Sequence, residues 1–363
     1  MYKSIQPGNI WLDTEGKPIQ CHGSSIVYCE KDSLYYWYGE NKEKTKGGLT
    51  NRIWHWGMRY YTSRDLYNWE DKGLFIPPTP EDLDSPLHPT YSVDRPHILY
   101  CEKTGKFVCW LKIMCDEISQ FMTVMQSDNF MGPYEIVRKV YKPLKMNTGD
   151  FTLVKDENTD KAYFIFDRPH FELITATLSN DYTEVSGEYS EHYTNSRPPF
   201  SRESPAYFKQ NGKHYLITSG TTGYYPNPTW VCTFDDFHGG YKDLGEFCLD
   251  DTTGTSFFAQ YCWVLKPHGS DHYIAMADRW KPTTFDKWLS KRYYKMVDRA
   301  MSGGHYKRIS EPDTSPKEAG PLPLKEQIHT ERTCIGRYVW LPIEWEGEKP
   351  FIRWKDEWRL EDY

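Results

Sequence analysis

Short apolar runs rich in aromatic residues alternate with polar turns along most of the chain. Ser25-Ile26-Val27-Tyr28 leads through the polar stretch Glu30 to Ser33 into Leu34-Tyr35-Tyr36-Trp37-Tyr38. The same unit recurs as Pro96 to Tyr100 with Lys106 to Trp110, turning at Lys103-Thr104-Gly105, and as Phe151 to Val154 with Ala162 to Phe166. It recurs again as Pro205 to Phe208 with His214 to Thr218, and as Cys262 to Leu265 with His272 to Ala275. Runs of strand formers bounded by Gly, Asn, Asp and Ser are the pattern of β-hairpins. Four of the hairpins are followed by a further strand and a polar tag: Ser63-Arg64-Asp65-Leu66, Ser127-Asp128-Asn129-Phe130, Ser179-Asn180-Asp181-Tyr182 and Phe234-Asp235-Asp236-Phe237. A unit of three or four strands cannot bury both faces alone, so its copies must stack. The expected fold is therefore all-β, a five-bladed β-propeller, and residues 1–363 form one domain. A β-sandwich, the main rival, would not repeat one hairpin five times.

The second-strand aromatics Tyr35, Phe107, Tyr163, Tyr215 and Tyr273 give a common origin for comparing the units. Thirteen residues before them stand His22, Asp94, Asp150 and Gln260, and twelve before Tyr215 stands Glu203. If these first strands are innermost, the five side chains converge at one mouth of the central channel. Strand beginnings that were merely polar would include Ser, Lys and Thr, whereas all five positions carry acid–base or amide groups. The second strands return to the same mouth, which places Glu40, Lys112, Arg168, Thr221 and Arg279 around its rim.

Composition narrows the partners. Aromatic residues make up 16% of the chain, and their rings suit both the core of a many-stranded fold and the C–H faces of sugars. A net charge of −7 argues against nucleic acid, which calls for clustered Lys and Arg. No run of 18 apolar residues is present, so no membrane span is expected. Met1 to Pro7 has no apolar leader segment and reads as mature from its first residue. The nine cysteines are scattered without a Cys-x-x-Cys pair, which suggests neither a disulfide framework nor a zinc site and fits a reducing, cytoplasmic setting. No cofactor and no metal are expected.

Two carboxyl groups facing a sugar are the minimum for hydrolysing a glycosidic bond: one protonates the leaving oxygen, and the other activates water or attacks. Glu203, between Arg202 and the stiff Ser204-Pro205, is the best donor candidate. Asp150 beside it would raise its pKa by like-charge repulsion. Asp94 and Asp150 both remain eligible as the base or as the group that tunes the acid.

Three markers spread over nearly the whole chain carry a resemblance. They are Ser63-Arg64-Asp65-Leu66-Tyr67-Asn68-Trp69, Arg202-Glu203-Ser204-Pro205-Ala206-Tyr207-Phe208-Lys209 and Tyr338-Val339-Trp340-Leu341-Pro342. With them the chain resembles glycoside hydrolase family 43, whose members are inverting five-bladed propellers. Ordinary members open the first blade with an Asp base; here Cys21-His22-Gly23-Ser24-Ser25 has no carboxylate. That departure is similar to the exo-β-1,3-galactanase branch, as is the loop Thr222-Gly223-Tyr224-Tyr225-Pro226-Asn227. The resemblance implies Glu203 as acid, Asp150 as its pKa modulator, and Gln260 as the group that positions or activates water across the sugar from Glu203, with His22 and Asp94 as the alternatives for the water. The branch carries Glu where this chain has Asp94, and the shorter side chain alters the terminal-sugar subsite.

Asp94, His22, Glu40, Arg95, Thr221, Arg279 and Trp280 are the expected substrate-binding residues. Glu40 is equally suited to pairing with Arg95, and Trp54 and Trp56 to stacking on sugar or stapling their loop. Residues 282–336 form an insertion. Its first part, Phe285 to Met301, has apolar residues at three- and four-residue steps and predicts a helix ended by Gly303-Gly304. A stretch with Pro312, Pro316, Pro321 and Pro323 follows and reads as an extended loop. Leaving from the rim, the insertion is expected to cover the cleft or meet another subunit, and residues 338–358 to complete the last blade. The function expected is that of an inverting glycoside hydrolase releasing terminal galactose from β-1,3-galactan or related β-galactosides, with an oligosaccharide as the substrate. The alternatives are an α-L-arabinofuranosidase or β-xylosidase of the same family, and a non-catalytic carbohydrate-binding propeller.

Overall fold

Each predicted hairpin is the inner half of a blade. The computed structural model describes residues 1–115, 120–169, 171–194, 201–302 and 328–363. Blade one is β1 (His22–Cys29), β2 (Leu34–Glu40), β3 (Met58–Ser63) and β4 (Glu70–Ile76), antiparallel and in chain order. Blade two follows as β5 (Ser92–Cys101), β6 (Lys106–Met114), β7 (Gln120–Ser127) and β8 (Glu135–Tyr141). Blade three is β9 (Phe151–Lys155), β10 (Ala162–Asp167), β11 (Leu173–Leu178) and β12 (Val185–His192). Blade four is β13 (Arg202–Gln210), β14 (Lys213–Gly220), β15 (Trp230–Phe234) and β16 (Lys242–Glu246). Blade five is β17 (Gln260–Leu265), β18 (Ile274–Arg279) and β19 (Arg337–Pro342). The first strands β1, β5, β9, β13 and β17 lie side by side, and β17 returns to β1, so the ring closes.

The polar tags turn the third strand into the fourth. Ser63 Oγ accepts from the N–H groups of Asp65 and Leu66, and Asp65 Oδ1 accepts from those of Tyr67 and Asn68. Such local side-chain bonds are why Ser and Asp recur there. Between blades five and one the seam is aromatic: Trp37, Trp69 and Trp340 are fully buried, with Trp11 4.8 Å from Trp340. The chain's beginning completes that seam, since Gly8 N donates to Tyr338 O and Ile5 pairs with Trp358.

One irregularity recurs at the mouth. In β1, β5, β13 and β17 an extra residue interrupts the pairing just after the strand begins. Gly23, Arg95 and Ser204 occupy the same place in three of these bulges, with φ of 50°, 53° and 53°. Bulges re-aim side chains, and here they turn the heads of the inner strands into the channel.

The insertion begins with helix α1 (Thr284–Ser302), as predicted. Gly303-Gly304 and the proline-rich stretch lie outside the described residues. Residues 328–336 run back along the rim into β19. Of the segment expected to complete blade five, only β19 joins its sheet. The hairpin β20 (Glu344–Glu346) and β21 (Lys349–Phe351) lies on blade four instead, because Trp345 packs on Phe208 and Tyr215 there. Among the described residues no helix is long and apolar enough to cross a membrane.

Candidate active site

The heads of β5, β13 and β17, with Asp150 just before β9 and Glu40 at the end of β2, open onto one cleft. Glu40, Asp94, Arg95, Lys112, Asp150, Glu203 and Gln260 form its polar floor, with Trp54, Tyr224 and Trp280 among its walls. The three rings make an arch: Tyr224 is 5.9 Å from Trp54 and 5.5 Å from Trp280.

The floor is a chain of alternating charges. Lys42, fully buried, places Nζ 2.9 Å from Glu40 Oε2 and 3.1 Å from Asp94 Oδ1. Trp54 Nε1 donates to the same Asp94 oxygen at 2.7 Å. Lys112 Nζ donates to Asp150 Oδ1 at 2.9 Å, and Arg95 Nη2 lies 2.8 Å from Asp150 Oδ2. Arg95 reaches this far because it is the bulge residue of β5; its own N–H donates to Glu40 Oε1 at 2.9 Å. Its Nη2 also donates to Gln260 Oε1 at 3.1 Å, while Gln260 Nε2 donates to Glu203 Oε1 and Ser219 Oγ, both at 3.0 Å.

These contacts sort the carboxyl groups. Burial would raise Asp150, but Arg95 and Lys112 together hold it below the ordinary carboxylate range. Burial likewise works on Asp94 and loses to Lys42 and Lys112. Glu203 goes the other way: burial pushes it well up, and the charges of Asp150 and Asp167 add to that against Lys112 and Arg95. Glu40 is raised to about 7 by burial, with Lys42 opposing, and Asp167 to about 8 by burial and by Asp150. A proton-bearing Glu203 beside an ionised Asp150 is the division of states that general-acid chemistry needs at neutral pH.

Of the residues expected here, Glu40, Asp94, Arg95, Asp150, Glu203, Gln260 and Trp280 line the cleft. Three do not reach it. His22 is wholly buried, its Nδ1 2.8 Å from Asp278 Oδ1 and its ring 5.0 Å from both Trp280 and Tyr338, so it backs Trp280 and does not face a ligand. Thr221 hydrogen-bonds Ser201, and Arg279 donates to Phe257 O and stacks on Trp354. The register explains the last two. Glu203 pairs with Ser219 and Gln260 with Asp278, so Thr221 lies beyond the paired end and Arg279 falls on the opposite face of its strand.

Gln260 is also nearer the acid than expected. Blades four and five are neighbours in the ring, so the heads of β13 and β17 meet, and the two side chains are hydrogen-bonded. Lys42, Ser219, Asp167 and Tyr224 are site residues that sequence reasoning gave no role. Lys42 follows Glu40 by two residues beyond the strand end, where only the folded loop shows that it turns inward. Tyr224 stands in the Thr222 to Asn227 loop that carries the resemblance. Among the described residues no cluster of His, Cys, Asp or Glu is arranged to hold a metal ion.

Residues 18–243 match the sequence profile of glycosyl hydrolases family 43. A comparison with curated protein sequences gave no match. Among solved structures, a family-43 β-1,3-galactosidase is 26% identical with a TM-score of 0.76, aligned over 100% of this chain and 64% of its own. The chain thus spans just under two thirds of that protein's length. A second family-43 β-1,3-galactosidase, solved with galactodeoxynojirimycin, is 24% identical with a TM-score of 0.74, over 98% of this chain and 100% of its own. The exo-β-1,3-galactanase of Phanerochaete chrysosporium, solved with β-1,3-galactotriose, shares the fold at 21% identity and a TM-score of 0.74, over 99% and 68% of the two chains.

Proposed function

The chain belongs to family 43 of the glycosyl hydrolases, and from that premise we propose that it is an inverting exo-enzyme releasing terminal galactose from short β-1,3-linked galactosides. What carries the reading is the contrast, in one cleft, between Asp150, clamped by Arg95 and Lys112, and Glu203, hydrogen-bonded to the neutral amide of Gln260 and pushed up by burial. Galactose as the sugar rests on the names of the similar galactosidases. The exo reading takes Trp54, Tyr224 and Trp280, which line one cleft, as the wall that meets the terminal sugar.

In this reading Glu203 gives its proton to the glycosidic oxygen as the bond to the anomeric carbon breaks, and water attacks that carbon from the opposite face. Asp150, fixed by Arg95 and Lys112, keeps Glu203 protonated until then. Gln260 holds the water once the sugar has parted it from Glu203. Inversion asks for about 6.5–9.5 Å between the acid and the group that activates water, against 3.0 Å between these side chains without substrate. An amide oxygen that takes the water's proton must release one from nitrogen; when the products leave and the pair closes again, Glu203 Oε1, by then a carboxylate, lies 3.0 Å from Gln260 Nε2 to take it, which restores the acid. A reducing, cytoplasmic setting is part of this reading, since the nine cysteines form no disulfide with one another.

A panel of aryl glycosides tests the substrate. Cleavage of the β-galactoside is expected, and preferred cleavage of the β-xyloside or α-L-arabinofuranoside would reassign the sugar. Binding of sugars without cleavage of any member would make the protein a binding propeller.

A further inference from the structure

His329 belongs to the insertion, outside the propeller repeat, yet it ties together two loops, one of which carries the cleft-lining Trp54. Its N–H donates to Asn51 O at 3.0 Å, and its carbonyl accepts from Asn51 Nδ2 at 3.2 Å, which fixes it to the loop after β2. Its Nε2 lies 2.8 Å from Thr90 O in the loop before β5; a carbonyl only accepts, so Nε2 carries the hydrogen. Its ring stands edge-on to Trp54 at 4.8 Å, a favoured aromatic geometry. The imidazole is almost fully buried, with 4% of its residue surface exposed.

Trp54 is the ring that matters there. Its backbone N–H donates to Pro89 O, its indole N–H to Asp94, and Lys42 Nζ sits 4.5 Å over its face. A displaced Trp54 would therefore release one of the donors that orients Asp94, at the edge of the terminal-sugar space. We propose that His329 is a positioning residue for sugar binding: the insertion sets Trp54, and through its indole Asp94, so that the fit of the terminal sugar depends on a segment outside the blades. The proposal rests on the reading above only in taking Trp54 and Asp94 to face the terminal sugar.

The test is a double-mutant cycle with His329→Ala and Trp54→Ala, read as KM and kcat on the aryl glycoside that the wild-type protein cleaves fastest and as Kd for its free sugar. His329→Ala should raise KM and Kd about tenfold with kcat within about twofold, and in the Trp54→Ala background it should change them less than about twofold. His329→Phe, which keeps an edge-on ring and loses the bond to Thr90, should recover most of the affinity. If His329→Ala does not fold, His329→Gln serves, since its amide still reaches Thr90 while the ring is gone; the same coupling is expected. An effect of equal size with and without Trp54, or unchanged KM and Kd in the single variant, overturns the proposal. Because the cycle uses whichever glycoside is cleaved, a wrong sugar assignment would sink the galactosidase reading and leave this test intact.

Discussion

Asp94 and Asp150 each have a cationic nitrogen within 3.1 Å, whereas the near neighbour of Glu203 is the neutral amide of Gln260. In the proposed mechanism that difference separates the acid from the carboxylate that tunes it. Glu203→Gln should lower turnover about 10²- to 10⁴-fold on substrates with poor leaving groups, and much less on activated aryl glycosides, which need little protonation. Equal losses on both, measured as kcat, would indicate binding or structure instead. The pH profile tests Asp150. The donor works only while protonated, so kcat/KM falls as pH rises through the raised pKa of Glu203. Asp150→Asn removes a charge that raises this pKa and leaves Arg95 and Lys112, which lower it, so the falling limb should move to lower pH. An unmoved limb would remove Asp150 from the role. Gln260→Ala should nearly abolish turnover while sugars still bind, with azide restoring part of it as a glycosyl azide of inverted configuration. Near-normal turnover would pass the water to Asp94, whose blade stands across the ring from blade four. The identities of Glu203, Asp150 and Gln260 were legible because each heads an inner strand at a fixed distance from an aromatic. The bond between Glu203 and Gln260 was not, since a linear spacing does not say which blades touch.

The strand pattern located the inner hairpin of each blade, but the bulges decide where the side chains go. A one-residue interruption flips the face of all that follows, which is why Arg95 enters the cleft beside Asp94. Period-two alternation without bulges would have put Arg95 on the wrong side. Gly23 tests the first bulge. A Cβ there would stand 2.1 Å from Glu40 Oε1, at φ +50°, so Gly23→Ala must displace Glu40 and loosen the backbone bond it accepts from Arg95. Misplacement of this kind costs about a hundredfold in kcat/KM. Gly105→Ala, in the β5–β6 turn at φ +68° with open space around it, should cost about 1–2 kcal/mol of stability and leave kcat/KM unchanged. Paired thermal melts and kinetics separate the two; equal activity losses would mean that Gly23 acts only through folding.

Across the whole molecule, five inner strands bring residues 22 to 260 to one mouth, and the chain's two ends meet at the aromatic seam between blades five and one. The ring was readable from the repeat. Its closure was not, because Ile5 and Trp358 stand outside any repeating unit, and neither was the Tyr293 ring of α1 stacked at 4.2 Å on Tyr225 beside the arch. Only the assembled ring puts Glu203, Asp150 and the aromatic walls around one cleft. Proton NMR of β-1,3-linked galactobiose, recorded from the moment of mixing, tests that arrangement most directly. The α anomer of free galactose should appear first, with β following by mutarotation; β-galactose first, or no galactose at all, would contradict it.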